Sequence, residues 1–382
     1  MKIKHVNIQG LFGREKSVDM EFHDDLNIVT GANGSGKTTI MKLIWYIVSG
    51  RTLKALVEVP FSKVFIETDC YKVTVIRTGG ATCRVDWEVD GKITEYRDYD
   101  DEEGNRYNAE DEPDDLMTDM GSSLFFPTFR RIEGGFASPK PSRRSLLAPT
   151  DPANDLEKSL KSLSEQLSHH NHQFVSALST SDIERLLLKQ YTDASENASQ
   201  IQKDTSAKII AEIGEYKQER YQSGPQTPET VGQAEGVLDS IRSMIDDMER
   251  QRENALSQYN AIRNLVLRIF RHSGIKVGRL SMGDAAAAIS SDALSAGEKQ
   301  MLSFLCYNAF YGSSLVFIDE PELSLHVDWQ RQLFPTLFSQ KKNNQFIIAT
   351  HSPFIYSRYP DKEIVLEATR GDTFEDGLDE LL

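Results

Sequence analysis

The chain has 382 residues, with 43 Lys and Arg against 58 Asp and Glu, and a formal net charge of −15. Eleven acidic residues and one basic residue give positions 98–119 a net charge of −10, and positions 371–382 add −5. The rest of the chain is therefore neutral overall. The acidic total consequently excludes neither nucleic acid nor another polyanion as a partner.

The composition also limits the class of protein. With 39% hydrophobic residues the chain can bury a full core, which excludes a disordered protein. No apolar run approaches the roughly 18 residues of a membrane-spanning helix, and the first ten residues lack the apolar segment of a signal peptide. We therefore expect a cytoplasmic protein with no membrane partner. Cys70, Cys83 and Cys306 are far apart and lack CxxC spacing, which argues against a disulfide framework and a cysteine-based zinc site.

Short alternating apolar runs predict strands in the first hundred residues. Three runs lie within residues 1–30, and the third leads directly into a glycine-rich segment. Three further runs, at 63–69, 72–78 and 83–89, have the spacing of an antiparallel meander. The acidic positions 98–119 predict a solvated loop.

A helical segment is predicted next. Ser181 and Glu184 form a capping box that opens a helix running to about Tyr221, on the order of 60 Å long at about 1.5 Å per residue. Another helix with a regular apolar seam runs from Val237 to Ile269. Before these two, a helix with a heptad seam of coiled-coil type is predicted from six residues: Leu156, Leu160, Leu163, Leu167, Phe174 and Leu178.

Buried-strand signals resume at 314–320, 345–350 and 363–368, with helical segments between them. The predicted fold class is α/β, a split head with a mixed sheet and an antiparallel meander, interrupted by an inserted helical hairpin. The predicted parts are residues 1–150 as the first half of the head, 151–272 as the helical insertion, 273–370 as the second half of the head, and 371–382 as an acidic tail.

The glycine-rich segment GANGSGKTT starts at Gly31 and fits the phosphate-loop pattern GxxxxGK[ST], between a predicted strand and a predicted helix. Its glycines let backbone N–H groups converge on phosphate oxygens at a helix N-terminus. Lys37 would bring a positive charge to the β and γ oxygens of a nucleotide, and the Thr38 hydroxyl would ligate Mg²⁺.

Three other segments carry polar residues suited to the same chemistry. The apolar run ending at 318 delivers Asp319, which can hold Mg²⁺ through water, and Glu320, which can act as a general base on the attacking water. Ser295 and Gly297 lie at the start of a predicted helix, which is another anion-binding N-terminus. His351 ends the next predicted strand and could hydrogen-bond a γ-phosphate.

The order of these segments resembles that of the ABC-type P-loop ATPase heads, and the continuation EPELSLH resembles the branch that contains the SMC, double-strand-break repair and OLD ATPases. The resemblance implies that ATP and Mg²⁺ are buried between two heads. One head would contribute Asp319, Glu320 and His351, and the other would contribute Ser295 and Gly297. The same resemblance implies Thr38 and Asp319 as Mg²⁺ ligands and these loop residues as nucleotide-binding: Gly31, Asn33, Gly34, Ser35, Gly36, Lys37, Thr38 and Thr39.

Two features depart from that branch. No glutamine lies between Thr128 and Glu165, so the Mg²⁺-contacting residue of the family's Q-loop has no counterpart in the sequence. No CxxC lies at the predicted helical turn, so the resemblance does not extend to a zinc-hook dimer.

The segment FPTFRRIEGG, the compact head and the short helical insertion resemble the ATPase subunits of bacterial anti-phage systems, most nearly the AriA family of PARIS, with PtuA of Septu as a relative. This resemblance implies an ATPase scaffold that assembles into a hexamer and holds a separate Toprim nuclease, an AriB-like subunit. It also implies release of that nuclease when a phage anti-restriction or DNA-mimic protein is sensed. The acidic tail 371–382 would leave no room for a fused Toprim domain.

Other interpretations are open. An SMC-like DNA-repair or chromosome-maintenance ATPase would bind DNA with a steep salt dependence. A transporter ATPase subunit is disfavoured, because a transporter does not need inserted amphipathic helices.

Several charged residues also allow two interpretations. Arg130 and Arg131 could contact phosphate, nucleic acid or a trigger protein. Alternatively, they could brace the two halves of the head. Lys140, Arg143 and Arg144 could belong to a solvated loop or to a surface that senses a polyanion. On the first predicted helix, a solvated polar face is favoured over a metal site for His169, His170 and His172.

Overall fold

The computed structural model describes residues 1–100, 106–128, 131–132, 162–175, 177–178, 180–222, 235–255 and 295–366. The chain divides into two compact units, the first formed by Met1–Ser179 with Ser295–Leu382 and the second by Thr180–Leu294. The first unit is thus interrupted in sequence by the second. The finer division at residues 150, 272 and 370 stays a prediction.

The first sheet of the larger unit is antiparallel and has the strand order β2-β1-β4-β5-β6-β7. Alternate residues of its central strands are buried, as expected for a sheet with one face on the core. The predicted meander is therefore confirmed. Its strands are β1 (Ile3–Gln9), β2 (Val18–Glu21), β4 (Lys63–Thr68), β5 (Lys72–Arg77), β6 (Cys83–Val89) and β7 (Lys92–Arg97).

The second sheet contains only parallel pairs, in the order β12-β10-β14-β15-β3-β16. Every residue of its strands β3, β10, β14 and β15 is buried, which explains their continuous apolar runs. The three late strands were predicted, although the last is shorter than expected. The strands are β3 (Leu26–Thr30), β10 (Ser123–Phe126), β12 (His172–Phe174), β14 (Leu315–Asp319), β15 (Gln345–Ala349) and β16 (Glu363–Val365).

The helix α1 (Lys37–Val48) lies in one hydrophobic core with residues of both sheets. Nine of its twelve residues are buried, and Trp45 packs against Phe125 and Phe174. A helix with so much buried surface must be covered by neighbouring elements, and α1 shares its core with residues of both sheets. The other helices are α2 (Thr52–Glu58), α3 (Asp111–Asp119), α4 (162–167), α5 (Thr180–Gln222), α6 (235–255), α7 (Ala296–Phe310), α8 (Val327–Ser339) and α9 (Pro353–Tyr356).

Two short strand pairs complete the described part, β8 (Tyr99–Asp100) with β9 (Arg106–Tyr107) and β11 (Arg131–Ile132) with β13 (Ala177–Leu178). The predicted helix up to about Tyr221 is confirmed as α5, and α6 confirms the first half of the helix predicted from Val237. The second half of that helix lies outside the described residues. None of the described helices has both the length and the apolar character to cross a bilayer.

The helix predicted through Phe174 and Leu178 is wrong beyond residue 167. Residues 172–174 form β12, which pairs in parallel with β10, and Leu178 lies in β13. Leu167 and Phe174 are buried as predicted, but they reach the core from different elements. Stacking of Phe174 on Phe125 and the hydrogen bonds of the sheet edge outweigh the helical spacing of the sequence. Leu156 and Leu160 lie outside the described residues.

The three histidines are consequently not on one helical face, which corrects that prediction. His172 is fully buried, and its Nδ1 lies 2.7 Å from Ser123 Oγ, which also accepts a hydrogen bond of 2.9 Å from Trp45 Nε1. Burial lowers the pKa of His172 to about 4, so this imidazole is neutral. Among the described residues, no cluster of three or more His, Cys, Asp or Glu residues is arranged to hold a metal ion.

The prediction of a solvated loop over 98–119 is wrong for its last nine residues, which form α3. Its Pro113 and Met117 are buried, and the Asp114 carboxylate accepts hydrogen bonds from Thr52 N at 2.9 Å and Thr52 Oγ1 at 2.6 Å. Asp114 therefore caps the N-terminus of α2 from a different helix. The approach is close, because a Cβ on Gly50 would lie 2.2 Å from Asp114 O.

The Asp114→Asn variant is expected to lose less stability than the wild type between about pH 4 and pH 7. Burial raises the pKa of Asp114 to about 7, whereas an unfolded Asp titrates near 3.9. The folded protein thus keeps a proton that the unfolded chain has released, and its free energy of unfolding falls as the pH rises through this window. Urea unfolding at pH 5 and pH 8 measures the effect, with the exposed Asp115→Asn as the control. Equal losses in all three proteins would contradict it.

Candidate functional site

The candidate site lies at the C-terminal edge of the parallel sheet. Parallel strands end on the same side, so the segments that follow β3, β10, β14 and β15 meet there. These segments contain the phosphate loop, Thr128, the pair Asp319 and Glu320, and the pair Thr350 and His351. Asp319 and Ala349 are directly paired across β14 and β15, which brings the last two segments side by side.

The phosphate loop connects β3 to α1 through backbone conformations that only glycine adopts easily. Gly34 and Gly36 have φ angles of 83° and 96°, in the left-handed region. A Cβ on Gly36 would also lie 2.9 Å from the ring of Phe12, which packs on the loop. The N-terminus of α1 has no side-chain cap, so no capping side chain occupies the first N–H groups of the helix. Asn33 and Gly34 are exposed at the loop tip and Thr39 is half-buried.

The loop side chains are held in place by backbone atoms. Lys37 is buried, and its Nζ donates to Gly31 O at 2.9 Å and to Ala32 O at 3.2 Å. The Ser35 hydroxyl is also buried and has no hydrogen-bond partner in the described part of the chain. A buried hydroxyl without a hydrogen-bond partner destabilises the folded protein unless a ligand supplies that partner. The loop therefore has the donors and the unfilled capacity to hold a phosphate group.

Asp319 is fully buried and accepts hydrogen bonds from two threonine hydroxyls. Thr38 Oγ1 lies 2.8 Å from Asp319 Oδ2 and 3.1 Å from Oδ1, and Thr128 Oγ1 contacts the same Oδ2. These oxygens come from α1, from β14 and from the segment after β10. Hard cations such as Mg²⁺ prefer ligands of this kind. The two predicted Mg²⁺ ligands are thus in contact, and Thr128 joins them.

Glu320 lies next to the carboxylate of Asp319 in an unusual backbone conformation. Its φ of 50° is left-handed, which is rare for a side-chain-bearing residue, and its N–H donates to Ala349 O at 2.9 Å. Its Oε1 lies 3.5 Å from His351 Nε2. Burial and a hydrogen bond with Glu322 raise the pKa of Glu320, and burial lowers that of His351. Backbone strain and a shifted pKa both occur frequently at functional sites.

Ser295 and Gly297 lie at the N-terminus of α7. Ser295 accepts a hydrogen bond from Glu298 N, and the Glu298 carboxylate accepts one from Ser295 N, which makes a capping box. Gly297 packs against the turn after β14, where an added Cβ would lie 2.4 Å from Ser324 O. Only a residue without a side chain permits this approach. Ser295 itself is exposed.

Three site residues were not predicted from the sequence. Phe12 packs on the phosphate loop with a left-handed φ of 56°, Thr128 contacts Asp319, and Glu322 contacts the segment that contains His351. Both FPTFRR and EPELSLH were singled out as motifs, but neither motif specified these contacts. Each contact joins segments that are far apart in the sequence, so only the folded chain defines it.

A parallel sheet with a phosphate loop after β3, an acidic pair after β14 and a histidine after β15 defines a P-loop ATPase head of ABC type. A family model described as an AAA ATPase domain matches residues 1–356, and the chain belongs to this family. Residues 1–356 are therefore an ATPase domain.

Three curated relatives match parts of the chain. The retron Ec83 probable ATPase of Escherichia coli is 38% identical over 16% of the chain and 14% of its own length. The retron Vc95 probable ATPase of Vibrio cholerae is 26% identical over 42% of the chain and 30% of its own length. Endonuclease GajA of Bacillus cereus is 28% identical over 31% of the chain and 24% of its own length. The chain thus spans less than a third of each relative.

Among solved structures, the Smc head domain of Pyrococcus furiosus is similar over 93% of this chain and 91% of its own length. The sequence identity is 16% and the TM-score is 0.38.

Proposed function

We propose that this protein is the ATP-hydrolysing scaffold of a bacterial anti-phage complex, with a separate nuclease as its effector. The observation that carries the proposal is the convergence of Lys37, Thr38, Asp319, Glu320 and His351 at one sheet edge. This set of groups serves ATP hydrolysis. The similarity to two retron ATPases and to an endonuclease, together with FPTFRRIEGG, supports a defence role over a general housekeeping role.

The residues present fit a nucleotide with Mg²⁺. The phosphate loop and Lys37 would bind the phosphates, and the unpaired Ser35 hydroxyl would gain a partner. Thr38, Asp319 and Thr128 would hold Mg²⁺, which neutralises charge on the β and γ phosphates when bound. Thr128 would then supply an oxygen where the related heads use a Q-loop glutamine.

The two acidic residues Asp319 and Glu320 would have different roles. Asp319 is buried and bonded to two hydroxyls, so it suits cation binding. Glu320 is only half-buried, has a raised pKa and lies beside His351, so it suits proton transfer from water. His351 would donate a hydrogen bond to the γ-phosphate or to the attacking water.

The site would be completed by a second copy of the chain. Ser295 and Gly297 are at the N-terminus of α7, and their contacts are with Glu298 and the turn at Ser324. In the heads that this chain resembles, the equivalent residues bind the nucleotide of a neighbouring subunit. ATP would thus link head to head, and a ring of six subunits is the assembly that the PARIS likeness implies.

The partner surfaces are proposed from charge. A DNA-mimic trigger protein is a polyanion, and the basic positions 130–144, most of which lie outside the described residues, would attract it. A Toprim nuclease of the AriB type would be held until the trigger arrives. DNA itself would compete for the same charges, with a steep dependence on salt.

Purification from the native operon tests this function. With ATP and Mg²⁺ present, the tagged chain is expected to co-purify with a nuclease encoded in the same operon, in an assembly larger than a dimer by light scattering. The same purification in EDTA is the control, because removal of Mg²⁺ should disperse the assembly. A chain that purifies alone, with hydrolysis stimulated by DNA, would instead favour the repair ATPase.

A further inference from the structure

Glu322 connects the turn after β14 to the segment after β15. Its Oε1 accepts a hydrogen bond of 2.8 Å from the backbone N–H of His351, and its Oε2 accepts one of 2.7 Å from Thr350 Oγ1. Its carboxyl group also raises the pKa of the neighbouring Glu320 carboxyl group. One half-buried side chain therefore contacts the turn that holds the proposed general base and the segment that holds the histidine.

The contacts continue on both sides of Glu322. Thr350 Oγ1 accepts from Ser352 N at 3.0 Å, and Ser352 Oγ donates to Gln330 Oε1 at 2.6 Å. Gln330 Nε2 in turn donates to Leu325 O at 2.8 Å, which closes a ring back to the turn after β14. Closed hydrogen-bond networks of this kind hold their members in one arrangement.

The turn itself needs such support. Glu320 and Ser324 both have left-handed φ angles, of 50° and 68°, and such strain persists only when the surroundings fix the backbone. On the side of α7, Gln300 Nε2 donates to Pro321 O at 3.0 Å, and Gly297 lies against Ser324 O. On the other side, Glu322 supports the turn through its hydrogen bonds to Thr350 and His351, which follow β15. The strained turn is thus held between two elements that carry nucleotide-site residues.

We infer that Glu322 is a positioning residue for hydrolysis, which fixes the backbone of His351 so that its ring stays within reach of Glu320. The inference rests on the hydrolytic site proposed above. Glu322 does not itself act on the nucleotide, so its removal should slow the chemical step and leave ATP binding in place. Loss of a residue that orients a reacting group typically costs about 10–100-fold in activity.

The Glu322→Ala variant tests this inference. Its turnover number is expected to fall at least about tenfold, with the dissociation constant for ATP within about threefold of the wild type. The Glu322→Gln variant retains an oxygen for the His351 N–H and is expected to recover most of the turnover. The Asn344→Ala variant is the matched control for general loss of stability, because Asn344 bonds Ser314 N and Tyr311 O at the other end of β15.

The outcomes separate this inference from its rivals. Turnover of Glu322→Ala within twofold of the wild type, or a loss matched by Asn344→Ala at equal loss of melting temperature, would overturn it. A weaker ATP affinity with unchanged turnover would also overturn it, since Glu322 would then serve binding. If Glu322→Ala does not fold, the isosteric Thr350→Val removes one of the two hydrogen bonds of Glu322, together with the bond from Ser352 N. This variant should lower turnover without weakening binding, and wild-type turnover would refute the role. Hydrolysis by Glu320→Gln would refute the proposed base but leave the comparison at position 322 valid.

Discussion

The Glu320→Gln variant is expected to bind ATP normally and to hydrolyse it at least about a hundredfold more slowly, because a general base typically contributes 10²–10⁴-fold. Glutamine has the same shape and can keep the contact with His351, which lies 3.5 Å away. An amide cannot accept the proton that the attacking water must lose. Phosphate release under saturating ATP measures turnover, and equilibrium titration measures binding. Paired heads should accumulate, since the bound ATP is not consumed.

The control for this variant is Glu67→Gln on β4, where the carboxylate pairs only with the surface Lys72 among the described ion pairs. Its turnover should equal that of the wild type. If Glu320→Gln retained more than a tenth of the wild-type turnover, Glu320 would not be the base. Normal turnover together with normal pairing would point to another group for proton transfer.

The Lys37→Ala variant is expected to weaken ATP binding at least about tenfold, because a hydrogen bond to a charged group contributes roughly 1.5–3 kcal/mol. The variant also loses the hydrogen bonds from Lys37 Nζ to Gly31 O and Ala32 O, which stabilise the conformation of the loop. Titration with a fluorescent ATP analogue measures the affinity. Lys42→Ala, five residues along α1 and outside the loop, should bind as the wild type does. An unchanged affinity of Lys37→Ala would contradict the assignment of the loop.

The same variant tests the proposed defence role in cells. A phage-plating assay should show loss of protection with Lys37→Ala and full protection with Lys42→Ala. Full protection by Lys37→Ala, in a protein that has lost ATP binding in vitro, would show that defence does not need nucleotide. The ATP site would then stand, and the defence proposal would need another mechanism.

The residues of the nucleotide site were largely predictable from the sequence. The phosphate loop, Asp319, Glu320 and His351 each lie at the end of a short buried apolar run bounded by turn residues, which is the pattern of a buried strand. Their convergence was predictable as well, because parallel strands end at one edge. The roles of these residues in binding and hydrolysis stay predictions until the variants are measured.

Contacts across long stretches of sequence could not be predicted in this way. The Thr128 hydroxyl meets Asp319 across 191 positions, and Glu322 meets the His351 N–H across 29. Neither contact leaves a periodicity or a spacing to recognise. The fold that brings the segments together decides which of several polar residues in each segment faces its partner.

The sequence by itself determined most strands of the two sheets, the nucleotide loop and the order of the motifs, because alternation, apolar runs and glycine positions act locally. Only the tertiary structure decided that Phe174 lies in a strand and that the acidic positions 111–119 form a helix. In both cases, distant partners outweighed local preference: Phe125 and the edge of the parallel sheet hold Phe174, and Thr52 at the start of α2 holds Asp114. Five of the eleven acidic residues of positions 98–119 thus lie on a helix that the head holds through the half-buried carboxylate of Asp114.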